Sequence, residues 1–235
     1  MALPILESPK YTLNIPSTKK TIEYRPFLVK EEKILLIAQE SSNNEEIIKA
    51  MKDIIKACTF DKVEPNDLTT FDLEYIFLKL RAKSVGELAD INCKCSKCEA
   101  FTQTEVNIDN IIFNIDPKVN KIIMLTDKVG INMRYIRVKD MNVLMNELKT
   151  TPDMINDVII ASIESIFDND GVYPADQTSQ SEMTTFINSL NRAQMKLIET
   201  FIAESPKLSH DINFECCKCH ESNTMTLVGA QSFFE

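Results

Sequence analysis

Four cysteines in this 235-residue chain form two pairs with metal-binding spacing: Cys95 with Cys98, and Cys216 with Cys219. The pairs are copies of one pattern. Ile91-Asn92-Cys93-Lys94-Cys95-Ser96-Lys97-Cys98 aligns without a gap to Ile212-Asn213-Phe214-Glu215-Cys216-Cys217-Lys218-Cys219, at a constant offset of 121 residues. Strand-like sequence leads into each copy and out of it, over Thr104 to Ile108 and Thr224 to Val228. A Cys-x-x-Cys turn at a hairpin tip aims two sulfurs at one point while the intervening amides face them. Two such knuckles supply the four ligands of a tetrahedral zinc and leave no position for water, so the expected centre is one structural zinc per chain. Sites of this kind contribute on the order of 10 kcal/mol to folding in zinc-finger peptides, enough to hold together segments far apart in sequence.

The remaining cysteines read differently. Cys93 aligns with Phe214 and is expected as a buried strand residue; Cys217 aligns with Ser96 and is expected off the metal. His220 is a further candidate ligand, although Cys216 and Cys219 have the better spacing. Cys58 closes an apolar-patterned segment and reads as a small buried hydrophobe. A thioredoxin-like dithiol uses one Cys-x-x-Cys, not two matched copies. Cys216-Cys217-Lys218-Cys219-His220 formally matches a c-type haem attachment pattern, but that reading needs export and leaves the first knuckle without a partner.

Catalytic constellations are scarce. The two histidines, His210 and His220, both flank the second knuckle, so a Ser-His or Cys-His dyad has little material. Four glycines leave little scope for a phosphate loop. Asp168-Asn169-Asp170-Gly171 resembles part of a calcium loop, yet Ile166 stands where the first ligand should be, so a turn is expected. The chain is expected not to be an enzyme and to have no small-molecule substrate.

A composition of 44% hydrophobic and 26% charged residues is that of an ordinary globular protein. The net charge of −9 argues against nucleic acid as the main partner, because duplex binding needs clustered Lys and Arg. No apolar run approaches the roughly 20 residues of a membrane span, and the N-terminal residues lack a signal-peptide pattern. Clustered cysteines in a reducing cytosol point to metal rather than disulfides.

Several elements must position the knuckles. Tyr11 to Ile15 and Thr21 to Tyr24 alternate about a turn and predict a β-hairpin. Helical patterns cover Lys30 to Glu40, Asn44 to Cys58, with Ile47, Ile48, Met51, Ile54 and Ile55 on one face, and Thr70 to Lys83, with Leu73, Phe77, Leu78 and Leu80. Gly86 suits the end of the third helix. Strands are expected at Lys121 to Leu125 and Gly130 to Val138 around an Asp127-Lys128 turn. Helices follow at Asp140 to Lys149, Pro152 to Phe167, Ser181 to Leu190 and Ala193 to Glu204, with a polar loop from Pro174 to Ser181. The expected fold is α+β: helical layers with short antiparallel strands, and two zinc knuckles at 91–108 and 212–228 forming a zinc-ribbon-like site. The expected organisation is a hairpin arm over 1–28 and one body over 29–235.

Several stretches carry a family resemblance: Leu13-Asn14-Ile15-Pro16-Ser17-Thr18, Tyr24-Arg25-Pro26-Phe27-Leu28-Val29-Lys30-Glu31-Glu32-Lys33, Asp72-Leu73-Glu74-Tyr75, and Leu80-Arg81-Ala82-Lys83-Ser84-Val85-Gly86. Phe201 through Leu208, the second knuckle and Phe233-Phe234 complete the set. The chain resembles the baseplate hub assembly proteins of T-even-like contractile-tailed phages over nearly its whole length, most thinly from Ile111 to Gln180. The resemblance implies a non-enzymatic phage tail protein that assists assembly of the central hub, belongs to it, or both. It would work in the host cytoplasm during assembly and in the virion baseplate, with other baseplate and hub proteins as partners and neither nucleic acid nor membrane. The family's knuckles correspond to Cys95, Cys98, Cys216 and Cys219. The Tyr24-Arg25-Pro26-Phe27 segment and the Phe233-Phe234 tail are candidate contact surfaces, unless these aromatics pack in the chain's own core. The rival reading is a zinc-ribbon module that regulates transcription or replication by binding nucleic acid or polymerase; it would need a basic face.

Overall fold

The computed structural model describes residues 6–41, 43–111, 113, 120–141 and 151–229. The chain divides into two compact units, one formed by Met1–Ile115 with Lys207–Glu235 and the other by Asp116–Pro206. The second unit is thus inserted in sequence between two parts of the first. Mixed helices and short antiparallel strands make the fold α+β. Among the described residues no helix is long and apolar enough to cross a membrane.

The first unit is built on three β-hairpins and three helices. Strands β1 (Tyr11–Asn14) and β2 (Thr21–Tyr24) form the first hairpin, β3 (Leu88–Lys94) and β4 (Phe101–Asn107) the second, β9 (Ser209–Glu215) and β10 (Ser222–Val228) the third. Alternation puts Ala89, Ile91 and Cys93 of β3 inside, and Ile212 and Phe214 of β9, as a half-buried strand requires. Helices α1 (Val29–Glu40), α2 (Asn44–Cys58) and α3 (Thr70–Ser84) lie where expected, within a residue at each end. The α2 face carrying Met51, Ile54 and Ile55 is buried. The third helix is buried nearly all round, through Phe71, Leu73, Ile76, Phe77, Leu78, Leu80 and Ala82, which makes it the core of the unit. A capping box between Thr69 and Asp72 starts it by satisfying first-turn amides. Gly86, with φ +147, follows its end.

The first hairpin, expected as an arm over 1–28, is tied into this unit. The Ser17 amide and hydroxyl donate to the Asp72 carboxylate at 2.9 and 2.5 Å, and the Arg25 amide donates to the Cys58 carbonyl at 3.0 Å. The candidate contact segment Tyr24–Phe27 is internal. Tyr24 and Phe27 are buried, and the Arg25 guanidinium pairs at 2.9 Å with the buried Glu31. The bond from that guanidinium and the Leu28 amide outweigh the desolvation that would raise the Glu31 carboxyl, holding it below its usual range. Cys58 is fully buried, and desolvation pushes its thiol up to about 11.

In the second unit, β5 (Ile122–Met124), β6 (Gly130–Met133), β7 (Ile163–Phe167) and β8 (Val172–Pro174) form an antiparallel sheet in that order. Helices α4 (Thr151–Ala161), α5 (Gln180–Asn188) and α6 (Arg192–Ala203) accompany it. Ile131, Met133, Ile159, Ile163, Met183, Ile187 and Ile198 are its core. The helix expected from Pro152 to Phe167 stops at Ala161 and gives way to β7. Ile163, Ser165 and Phe167 then alternate in register with β6, where Phe167 pairs with Gly130. The Phe167 ring lies over Gly130, where a Cβ would come within 2.3 Å of it. The expected β6 continuation to Val138 ends at Met133, and a 3-10 turn occupies Val138–Asp140. Asp168 to Gly171 forms the β7–β8 turn, with Asp168 Oδ1 accepting from the amides of Asp170 and Gly171, so its carboxylate serves the backbone. The Pro174 to Ser181 stretch, expected as a loop, contains a 3-10 turn at Ala175–Gln177 and a capping box between Ser179 and Glu182 that starts α5. Beyond Met141 the helix expected to Lys149 lies outside the described residues.

Candidate metal centre

The second and third hairpins bring together the four cysteines that spacing singles out. Cys95 Sγ lies 3.7 Å from Cys219 Sγ, and Cys98 Sγ lies 3.5 Å from Cys216 Sγ. All four sulfurs are within 4.8 Å of one another. Tetrahedral coordination with bonds of about 2.3 Å separates sulfurs by about 3.8 Å, so the four can hold one metal ion. His220 is not part of this group: its Nδ1 is 2.8 Å from Glu215 Oε1 on the exposed side of the turn. Cys93 is buried, and the exposed Cys217 directs its thiol to the Phe101 carbonyl.

Backbone geometry explains the aim. In the second hairpin the Cys95 amide donates to the Ala100 carbonyl at 2.9 Å and Glu99 back to Cys95 at 3.1 Å; in the third, Cys216 donates to Glu221 at 2.9 Å and His220 to Cys216 at 3.0 Å. Each turn closes through one residue at positive φ, Glu99 at 58° and His220 at 56°. The Lys97 and Lys218 amides approach the sulfurs of Cys95 and Cys216 at 3.4 Å. Amide donation from Cys98 and Lys97 lowers the Cys95 thiol below its ordinary range, and donation from Cys219 and Lys218 brings the Cys216 thiol down to about 6. Against donation from the Glu221 amide, the neighbouring sulfurs raise the Cys219 thiol to about 12, so the protons of the metal-free cluster gather on Cys219. Hydrogen bonds to a thiolate favour the ionised form, which is the form that binds metal.

The two hairpins meet with local twofold symmetry. The Ser96 amide donates to Asn223 Oδ1 at 3.0 Å, and the Cys217 amide donates to Thr102 Oγ1 at 3.1 Å. Ser96 and Cys217 are equivalent in the repeat, as are Thr102 and Asn223. The close sulfur pairs, Cys95 with Cys219 and Cys98 with Cys216, exchange under the same operation. Asn223, absent from the sequence reading, also directs Nδ2 to Cys95 Sγ at 3.5 Å. Its signal was its place opposite Thr102 in the repeat. Cys217 acts here through its backbone, so Cys217→Ser is expected to keep full metal content and a melting temperature within about 2 °C, as surface changes usually do; metal analysis and a thermal melt check this.

The first hairpin repeats the turn without the chemistry. Ile15 donates to Lys20 at 2.9 Å, Lys19 donates to Ile15 at 2.8 Å, and Lys19 has φ 58°. Ile15 and Thr18 stand where the knuckles carry cysteines. With no thiol to mark it, only strand spacing could have revealed this third copy.

An α+β protein with paired Cys-x-x-Cys hairpins closed on one point is a scaffold organised around a metal-competent centre. The chain belongs to the T4 bacteriophage base plate protein family, whose model matches residues 8–235. Comparison with curated proteins and with solved structures gives no match.

Proposed function

We propose that this chain is a non-enzymatic protein of the phage tail that acts in building the central hub of the baseplate, as assembly factor, hub component or both. The observation that carries this reading is the family match across 8–235. Its partners are other baseplate and hub proteins, and it works in the host cytoplasm during assembly and in the virion baseplate. Zinc, one per chain and held by Cys95, Cys98, Cys216 and Cys219, has a structural role. Four sulfurs so closely spaced leave a tetrahedral ion no open position.

Infection with a phage in which this gene carries a nonsense codon tests the role. Electron microscopy of the lysate is expected to show heads and no complete tails, with hub-deficient baseplate intermediates, and supplying the wild-type chain in trans should restore particles. Normal tails in its absence would overturn the reading. Mass spectrometry of purified virions then separates a resident component from a transient factor.

A further inference from the structure

In the first unit, a cavity of about 570 Å³ opens between the first hairpin and α3. Its wall is rich in hydrogen-bond donors. Tyr11, Tyr24 and Tyr75 line it together with Lys79 and Lys83. The rings of Tyr11 and Tyr24 lie 5.7 Å apart. The Lys83 ammonium sits over Tyr11 at 5.5 Å and the Lys79 ammonium over Tyr75 at 5.4 Å. Asp109 engages both lysines, and Lys83 also pairs with Glu87 Oε1 at 2.5 Å. Lys79 donates to the Asp109 carbonyl and lies 3.6 Å from Oδ1, and Lys83 reaches Oδ2 at 2.7 Å. Both oxygens of the lining carboxylate therefore already face ammonium groups; Lys10 also lines the cavity, with its ammonium 5.2 Å over the Phe60 ring.

The hydroxyls are the telling feature. Tyr24 is 3% exposed and Lys79 8%, yet among the described residues the Tyr24 and Tyr75 hydroxyls have no hydrogen-bond partner. Burial pushes Tyr24 up to about 12, with Asp109 adding to the rise, and burial also raises Tyr75. Both phenols therefore keep their protons at neutral pH. Neither hydroxyl is sealed from solvent; both open onto the cavity their rings line, and a wall of free donors and ammonium groups with its own acceptor engaged is complementary to an anion.

We infer that this cavity is a carboxylate-binding site, taking an acidic side chain or a chain terminus presented by another polypeptide. The flat, delocalised carboxylate can accept from the Tyr24 and Tyr75 hydroxyls while its charge faces Lys79 and Lys83. The inference concerns unit 1 alone and does not depend on the hub assignment.

The full-length protein reports on this site directly, because it has no tryptophan and three of its five tyrosines line the cavity. Tyrosine fluorescence is titrated at constant ionic strength with glutarate, acetyl-triglycine, the neutral glutaramide, and inorganic phosphate. Glutarate stands for the acidic side chain and acetyl-triglycine for the chain terminus. A saturable response to at least one carboxylate, with a dissociation constant on the order of 1 mM and no response to glutaramide, is expected. Tyr75→Phe and Tyr24→Phe should each weaken it about tenfold, since hydrogen bonds to charged groups are the strong ones. Tyr173→Phe, outside the cavity, should leave it unchanged. Tyr75→Phe keeps the test open should Tyr24→Phe fail to fold. No saturation by either carboxylate up to about 0.1 M, roughly a hundredfold above the expected constant, would overturn the inference. So would an equal response to glutaramide, tighter binding of phosphate than of both carboxylates, or equal weakening by Tyr173→Phe.

Discussion

Strong chelation of the purified protein is expected to unfold the first unit at 37 °C. A structural zinc of this type contributes on the order of 10 kcal/mol, while whole domains are stable by about 5–15 kcal/mol. The second and third hairpins are two-stranded ribbons, and ribbons of that size are marginal without further support. The measurements are zinc per chain by elemental analysis and the thermal transition before and after chelation. One zinc per chain and a fall of well over about 10 °C are expected. Cys98→Ser and Cys219→Ser should do equal damage, because the local twofold makes these positions equivalent. Protein that purifies without metal and melts unchanged in chelator would sink the assignment.

Asp72→Ala should produce the second-largest loss. Its carboxylate is fully buried. It accepts from the Ser17 amide and hydroxyl, from the Thr69 hydroxyl at 2.7 Å and from the Thr69 amide at 3.3 Å. Alanine removes the reciprocal half of a capping box, and cap losses run about 0.5–2 kcal/mol. It also leaves the half-buried Ser17 amide without its acceptor, at a cost toward the lower end of the about 1–3 kcal/mol of an unsatisfied buried donor. A loss of about 2–4 kcal/mol in chemical denaturation is expected. Asp72→Asn, which keeps one acceptor oxygen, should fall between. A denaturation midpoint unchanged in Asp72→Ala would mean that the first hairpin is not held through this residue.

Much of this architecture is legible in the residues. The duplicated Ile-Asn-x-x-Cys-x-x-Cys run marks the four cysteines whose sulfurs come together, because sulfur placement follows from local turn geometry, which a short sequence encodes. Helix α2 is legible because one face repeats at helical spacing. The α4–β7 boundary is not, because Ile159, Ile160, Ile163 and Ile166 continue an apolar spacing that suits a helix. What ends the helix is pairing with β6, a contact distant in sequence. The start of α5 is legible to within a residue, expected at Ser181 and found at Gln180; Ser179 and Glu182 stand at capping-box spacing at the end of the polar stretch before it. The burial of Tyr24 and Phe27 depends on α2 and α3, which local pattern does not report. The Phe233-Phe234 tail lies outside the described residues.

The insertion of the second unit between the two cysteine pairs also has a bearing on synthesis. At about 5–20 residues per second, the 121 residues between equivalent cysteines take roughly 6–24 s to emerge. During that interval Cys95 and Cys98 are on a nascent chain without their matching pair, and the equivalent hairpin of a neighbouring ribosome's product has the same shape. What favours closure within one chain is the tether itself, since linked partners meet at an effective concentration of up to about millimolar. Yield of correctly closed protein should therefore be sensitive to how densely ribosomes load the message and to how much free metal the cell supplies while the chain is half made.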